Sequence, residues 1–237
     1  FNYNRNLMYL IIGASSDLGN AIAKELVNFD DVILTYRNKK NLKKIKTNKY
    51  KVYYEKLDLN NYKNIDRFIK KNNKLLNNIK FLNLATAKAD KIIINLNNEE
   101  IENIFKINLL SNIYFCKKIL PLMIKQKFGR FIFFTSKRAS RGDIGISLYS
   151  SSKEAISGFS KCLSKEYYDY NITSNCIKLG YFKTKLFEKI PKKIKFKLLN
   201  QIPNKKLGNI KNINNVINAI IDSDYINGSI IDIDGGI

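Results

Sequence analysis

The sequence contains no histidine, and that absence excludes both a histidine-based catalytic triad and a Cys/His zinc site. Its three cysteines, Cys116, Cys162 and Cys176, lie far apart in apolar surroundings without CxxC spacing. A disulfide framework is therefore not expected, and the thiols read as reduced core residues. Long apolar runs are missing too: Leu7 to Ile12 is among the longest, far short of the ~20 residues that span a bilayer. Nothing resembles a signal peptide, so a cytoplasmic protein is expected. The chain opens on Phe1 rather than methionine, and a few preceding residues are expected to lie outside this sequence. Acids are scarce: 20 Asp and Glu face 42 Lys and Arg, a net charge of +22 in 237 residues. So basic a chain invites nucleic acid as a partner. Its lysines, however, are spread along the whole length among Asn and Ile, with neither a basic tail nor an aromatic RNA-binding signature. A general drift toward Lys, Asn and Ile accounts for the charge, and an acidic partner is the specific alternative. There is no repeat, linker or low-complexity tract to mark a second domain, so residues 1–237 are expected to form one.

What the chain does have is alternation. Met8 to Ile12 is a compact apolar run followed at once by Gly13-Ala14-Ser15-Ser16-Asp17-Leu18-Gly19, and then by Ala21, Ile22, Ala23, Leu26 and Val27 at helical spacing. This is strand, tight turn, helix. The glycines let the backbone turn sharply and approach a ligand closely, while the helix amino end offers free N–H groups and a positive dipole. Pyrophosphate binding is the reading preferred over a plain βα turn. The second strand, Val32-Ile33-Leu34, closes on Thr35-Tyr36-Arg37. In a dinucleotide fold this strand end faces the adenosine ribose, where an acid suits a 2′-hydroxyl and a base suits a 2′-phosphate. No acid is present but Arg37 is, with Lys39 and Lys40 close by, so NADPH is preferred to NADH.

Lys51 to Leu57 reads as a third strand ending in Asp58-Leu59, and Tyr62 to Leu76 as a helix. Ile79 to Leu84, a fourth strand, runs into Ala85-Thr86-Ala87, small residues that let a cofactor lie across the strand end. Asn98 to Ile124 reads as one helix or two carrying Asn108 on an apolar face, where an amide is ordinarily bonded to backbone. Strands follow at Phe131 to Phe134, Ile172 to Leu179 (ending at Gly180) and Ser229 to Ile233, with a short helix from Val216 to Ile221. Lys183 to Leu207, lysine-rich and punctuated by Pro191 and Pro203, reads as a mobile substrate-covering segment. The alternation predicts an α/β fold, a doubly wound parallel sheet of about seven strands with helices on both faces.

One stretch, Thr135 to Lys153, carries the chemistry. Tyr149 and Lys153 are four apart and share a helix face, and Ser136 ends the apolar run that precedes them. A phenol, an ammonium and a hydroxyl are thus expected to converge at the carboxyl end of one strand. An ammonium about 4 Å away at an effective dielectric near ~20 contributes roughly 4 kcal/mol, enough to bring a phenol from ~10 toward roughly 7 before desolvation takes part of it back. Tyr149 then becomes a usable acid or base. Taken alone, Tyr-x-x-x-Lys is also an ordinary half-buried helix turn.

Together these pieces resemble the short-chain dehydrogenase/reductase family over essentially the whole chain, most of all its bacterial 3-oxoacyl-acyl-carrier-protein reductases. The Gly13 to Gly19 turn resembles the family's TGxxxGxG, and Asp58, with Leu59 beside it, the adenine-contacting acid. Asn108, Ser136, Tyr149 and Lys153 match its catalytic tetrad in order and approximate spacing. Ile202 to Gly208 and Asn227 to Gly236 resemble its carboxyl-terminal signatures. Ile12 replaces the usual threonine, Asp17 the middle glycine, Leu84 and Thr86 parts of NNAG, and Leu179 the proline of a PG pair.

The resemblance implies a Rossmann-type domain in which NADPH delivers a hydride to a carbonyl carbon as Tyr149 gives its proton to the oxygen. Ser136 would hold that oxygen, Lys153 lower the phenol pKa and grip the nicotinamide ribose, and Asn108 anchor a proton-relay water. The backbone after Gly180, near Phe182, and the Thr184 side chain are expected to meet the carboxamide; no metal is expected. The implied substrate is a 3-oxoacyl thioester on acidic acyl carrier protein, met at a basic entrance formed by Lys127, Arg130, Arg138 or Arg141. Tyr170 stands where carrier-binding members generally have a second basic residue, which keeps open a sugar-linked or other small carbonyl. A non-catalytic cofactor-binding regulator is the alternative of another class, disfavoured because all four tetrad residues are present. The helices of Asn108 and Lys153 resemble those that pair into four-helix interfaces, so a homotetramer or homodimer is expected.

Overall fold

The computed structural model of the protein describes residues 7–38, 43–188 and 190–237; Lys39 and Lys40 lie outside the described residues. The strands are β1 Met8–Ile12, β2 Asp31–Tyr36, β3 Val52–Lys56, β4 Ile79–Asn83, β5 Gly129–Ser136, β6 Ile172–Leu179 and β7 Ile230–Ile233. All pair in parallel in one sheet of order β3-β2-β1-β4-β5-β6-β7. The helices are α1 Asp17–Leu26, α2 Tyr62–Asn72, α3 Asn98–Phe105, α4 Ser111–Gln126, α5 Lys137–Arg141, α6 Ser147–Glu166, α7 Lys185–Glu188, α8 Lys192–Gln201 and α9 Ile210–Asp222. This is the predicted doubly wound α/β arrangement of Rossmann type.

The continuous apolar runs are what a parallel sheet covered on both faces requires. Side chains alternate across each strand, and the core divides accordingly. Met8, Leu10, Ile12, Ile33, Phe81, Phe131, Phe133 and Cys176 face one layer, closed by residues of α2, α4 and α6. Tyr9, Ile11, Val32, Leu34, Leu82, Ile132, Phe134 and Ile177 face the other, closed by α1 and α9. A one-residue slip in any strand would exchange the two sets.

Several expectations shift on inspection. Gly129 and Arg130 belong to β5 itself, and a Cβ on Gly129 would come within 2.5 Å of the Met123 sulfur. The last helix runs from Ile210 to Asp222, its start fixed by a capping box between Asn209 and Asn212. The segment from Lys183 to Leu207 contains α7 and α8; Pro191 stands as the N-cap of α8, where a missing N–H costs nothing. Cys162 is exposed, whereas Cys116 and Cys176 are buried. Residues Lys106–Leu110 form a π-turn between α3 and α4, giving one rod, Asn98–Gln126, of 29 residues. By length and apolarity that rod would pass for a membrane span, but half of its most apolar window is buried. Phe115, Ile119 and Met123 turn that face onto the sheet.

Phe81 stands at the centre of the first layer, with Phe115, Phe131 and Phe133 rings at 5.6, 5.7 and 6.2 Å. Phe81→Ala is expected to cost about 3–5 kcal/mol, read as a lowered midpoint with unchanged slope in urea unfolding.

Candidate active site

Parallel pairing places the carboxyl ends of all seven strands along one edge, and the order reverses between β1 and β4. That switch point is where an open α/β sheet leaves a crevice. A cleft of 460 Å³ lies there, lined by Gly13, Ser15 and Ser16 after β1, Arg37 after β2, Asp58 and Leu59 after β3, and Ala85 and Thr86 after β4. Eight of the residues singled out from the sequence therefore share one cavity.

The remaining members of the turn build it rather than line it. Gly13 has φ +79°, and a Cβ there would sit 2.6 Å from the Ala85 nitrogen; a Cβ on Gly19 would sit 2.5 Å from the Gly13 carbonyl oxygen. Ala14 is buried, its N–H given to Thr35 O at 3.0 Å, while Gly13 N–H donates to Thr35 Oγ1 at 3.1 Å. Ser16 caps α1 by accepting from Gly19 N–H at 3.0 Å and donates back to Gly13 O at 3.0 Å. The N–H groups of Gly13, Ala14 and Gly19 are thus used internally. Asp17 and Leu18 open α1, where an acid is favoured by the helix dipole. Arg37 is exposed at the cleft edge and forms no ion pair among the described residues. An open cavity at the switch point and an unpaired guanidinium at its ribose end fit a dinucleotide.

Beside this cleft, Ser136 ends β5, and Tyr149 and Lys153 stand one turn apart in α6. The Ser136 side chain favours the ionised form of the Tyr149 phenol. Lys153 is only 6% exposed; its Nζ donates to Phe134 O at 2.9 Å and lies 5.9 Å from the centre of the Tyr149 ring. Burial pulls its pKa down to about 8. The phenol is pushed up from its ordinary value, chiefly by burial, with Ser136 and then Arg138 pulling it back and Asp90 adding to the rise. The expected acidification by Lys153 is not what this structure shows: burial sets the direction of the phenol's shift, and the ammonium is engaged with a carbonyl rather than the phenol.

Asn108 sits in the π-turn, a feature frequent at functional positions. Its Oδ1 accepts from Ala87 N–H at 2.7 Å and Thr86 Oγ1 at 3.3 Å, while its Nδ2 donates to Ala87 O and Ser152 Oγ, both at 2.9 Å. Both N–H groups of the amide are occupied, so the side chain clamps the β4–α3 loop and does not itself offer a donor to water. Sequence reasoning missed the neighbours that complete this clamp: Asn83, Asn112 and Ser152, the last also donating to Tyr149 O at 2.8 Å. Asn83 also accepts from Ala85 N–H at 2.9 Å. Asn83 and Asn112 were marked only by lying in apolar segments, and Ser152, within Tyr149-Ser-Ser-Ser-Lys153, carried no such signal.

Gly180, Phe182 and Thr184 follow β6 and do not line the 460 Å³ cleft. Gly180 is required by contact, since a Cβ would come 2.6 Å from the Asp234 backbone; Phe182 is buried and bridges to Gly208. The expected basic entrance is corrected more sharply. Arg130 is 4% exposed and serves Ile221 O, Gly129 O and Asn171 at the amino end of β5. Lys127 and Tyr170 lie at that same far end, where Asn171 Nδ2 donates to Lys127 O at 3.1 Å. Of the four cations only Arg138 and Arg141 stand at the Tyr149 end.

A parallel sheet of this order, with a cleft at its switch point and a buried Tyr–Lys pair beside a serine, defines a dinucleotide-dependent oxidoreductase. The chain matches the short chain dehydrogenase family over residues 8–195, and it belongs to that family. It is 35% identical to the 3-oxoacyl-[acyl-carrier-protein] reductase FabG of Buchnera aphidicola subsp. Baizongia pistaciae, over 96% of this chain and 95% of the relative. The FabG of Aquifex aeolicus is 28% identical over 96% and 95%, and carbonyl reductase family member 4 of Xenopus laevis 29% identical over 96% of each. The protein is accordingly an oxidoreductase that works with a nicotinamide cofactor.

The depressed Lys153 pKa has a consequence for stability. The folded protein releases this proton near 8 while the ordinary lysine value is 10.5, so the unfolded chain binds more protons between those limits and stability rises with pH across them. Below about 8 the cost of burying the charge is fully present. Lys153→Met is expected to stabilise the cofactor-free protein by roughly 1–3 kcal/mol at neutral pH. In urea unfolding at several pH values, that gain should shrink as pH approaches 10.5.

Proposed function

We propose that this protein is an NADPH-dependent reductase of 3-oxoacyl thioesters carried on acyl carrier protein. The observation that supports the reading is the grouping of Ser136, Tyr149 and Lys153 around the carboxyl end of β5, the strand next to β4; none of the three lines the cleft itself, whose wall after β4 is formed by Ala85 and Thr86. Bound there, NADPH would supply the hydride. Ser136 is positioned to hold the carbonyl oxygen and Tyr149 to donate its proton to it, while Lys153 would turn from Phe134 O toward the nicotinamide ribose. Asp58 and Leu59 would meet the adenine, Gly13 to Gly19 the pyrophosphate, Ala85 and Thr86 the middle of the cofactor, and Gly180, Phe182 and Thr184 the carboxamide. A relay water at Asn108 falls to its main-chain carbonyl, because the side-chain amide is fully engaged.

An acyl substrate is supported by the mouth of the site. Ile144, 92% exposed, sits on the loop before Tyr149, and exposed Ile92, Ile93 and Ile94 sit on the loop after β4. The two loops touch, since a Cβ on Gly145 would lie 3.7 Å from the Lys91 backbone. In α8, exposed Ile194 and Phe196 alternate with Lys192, Lys193, Lys195 and Lys197, a surface for an apolar chain on an acidic carrier. We read residues 183–207 as the substrate-covering segment of a single domain. The other reading is a sugar-linked or small carbonyl; Tyr170, at the far end of the sheet, does not decide between them. Exposed Leu110 and Ile113 on the Asn108 rod support a homotetramer or homodimer, and the similarity to bacterial enzymes of fatty acid biosynthesis supports a cytoplasmic setting.

Purified protein is expected to oxidise NADPH with acetoacetyl thioesters, and Tyr149→Phe to bind NADPH normally yet turn over at least ~10²-fold more slowly. Unchanged turnover would remove Tyr149 from its role, and activity confined to sugar-linked carbonyls would favour the second reading. Arg37→Ala is expected to weaken NADPH about 10-fold with little effect on NADH, measured by fluorescence titration.

A further inference from the structure

At the amino ends of the strands, the edge opposite the switch-point cleft, lies a separate cavity of 430 Å³ that shares no residue with that cleft. Phe29, Phe128 and Ile221 give it apolar walls, while Tyr9, Asp30 and Lys80 bring polar groups to it from the starts of β1 and β4 and the turn into β2. The cations nearby are already engaged. Lys80 meets Asp30 at 2.6 Å and lies 4.3 Å over the Tyr9 ring. Arg130 lies 4.5 Å over the Phe128 ring and donates to Ile221 O at 3.3 Å.

What is left over is negative and polar. Asp222 ends α9 and lines the cavity, with no ion pair among the described residues. A carboxylate there faces the negative end of the helix dipole, an arrangement that an added cation relieves. Asn218, one turn earlier, shares the cavity, and its amide makes no hydrogen bond among the described residues. Tyr9 is 2% exposed, and its hydroxyl also has no hydrogen-bond partner among them. A buried phenol ordinarily finds a partner; this one opens onto the cavity. Burial first, then Asp30 and Asp222, push its pKa up, which agrees with a hydroxyl on the acidic side of the space.

We propose that this cavity binds a small organic ammonium ion, its charge held by Asp222 and the Tyr9 hydroxyl and its carbon body lying against Phe29 and Ile221. Charge selects the class: with Lys80 matched to Asp30, the Asp222 carboxylate is in surplus and would repel an anion. A chain of net charge +22 repels cations at long range, so uptake of one must be a local property. A bare metal ion does not fit, since the described residues hold no group of three metal-ligating side chains. Titration calorimetry of the full chain with phenethylammonium chloride is expected to show saturable binding at one site, and 3-phenylpropionate, a similar body of opposite charge, to show none. Asp222→Asn is expected to weaken the probe about 10-fold or more. Tyr9→Phe, which keeps the ring beneath Lys80, should weaken it by about 3-fold to 10-fold. Asp224→Asn, two residues on and outside the cavity, should leave it unchanged. No binding at millimolar probe, equal affinity for the anion, or indifference to Asp222→Asn overturns the proposal. None of these readouts involves NADPH or a carbonyl, so they stand whatever becomes of the reductase reading.

Discussion

A buried chain of amide hydrogen bonds holds the two halves of the site together. Asn83 Nδ2, at the end of β4, donates to Asn112 Oδ1 at 2.8 Å, and Asn112 Nδ2 donates to Asn108 O at 2.8 Å. Asn108 Nδ2 then donates to Ser152 Oγ, which donates to Tyr149 O. The line crosses from the strand that forms the cleft floor, through the π-turn of the central rod, to the helix turn that presents Tyr149 and Lys153. Removing one member leaves a buried partner unmet, at about 1–3 kcal/mol. Cleft and proton donor therefore keep their relative position through this one network.

Against that rigid frame, the two most deeply buried lysines show how differently the fold treats a cation. Lys80, in the amino half of β4, meets Asp30 at 2.6 Å and lies 4.3 Å over the Tyr9 ring. It is a structural charge, neutralised where it sits. Lys153 donates to a single carbonyl and has no carboxylate partner among the described residues. An uncompensated buried charge lowers stability, and a fold with two well-filled apolar layers tolerates it. Such a group in a crevice is a mark of function, whereas the Lys80 pair is a mark of architecture.

This contrast explains what was legible in the sequence. The strand Met8–Ile12 could be bounded closely, because burial on both faces writes an unbroken apolar run. The closeness of Ser136, Tyr149 and Lys153 was legible because Tyr149 and Lys153 are bound by helical spacing and Ser136 by a strand end. Helix α8 was not, since it buries none of its side chains and so leaves no apolar stripe to detect. Nor could spacing reveal that Arg130 faces inward: its burial depends on the Asn171 and Ile221 carbonyls, brought from 41 and 91 residues away. The direction of the Tyr149 shift was misjudged for a similar reason. A Coulomb estimate sees the neighbour four residues on, but desolvation is set by the whole packed surround.

The departures from the family pattern are absorbed by local physics. Leu84 replaces an amide but turns into the second apolar layer while still lining the cleft, and Asn83 alone keeps the amide link on both sides. Leu179 replaces a proline, yet the close approach that follows it is preserved, because Gly180 still admits the Asp234 backbone. Asp17 is the departure with a functional consequence. It stabilises the first turn of α1 through the helix dipole, but it also places a negative charge at the end that would meet a pyrophosphate. Arg37, on the far side of the same cleft, supplies charge of the opposite sign. The glycine turn therefore contributes shape more than attraction.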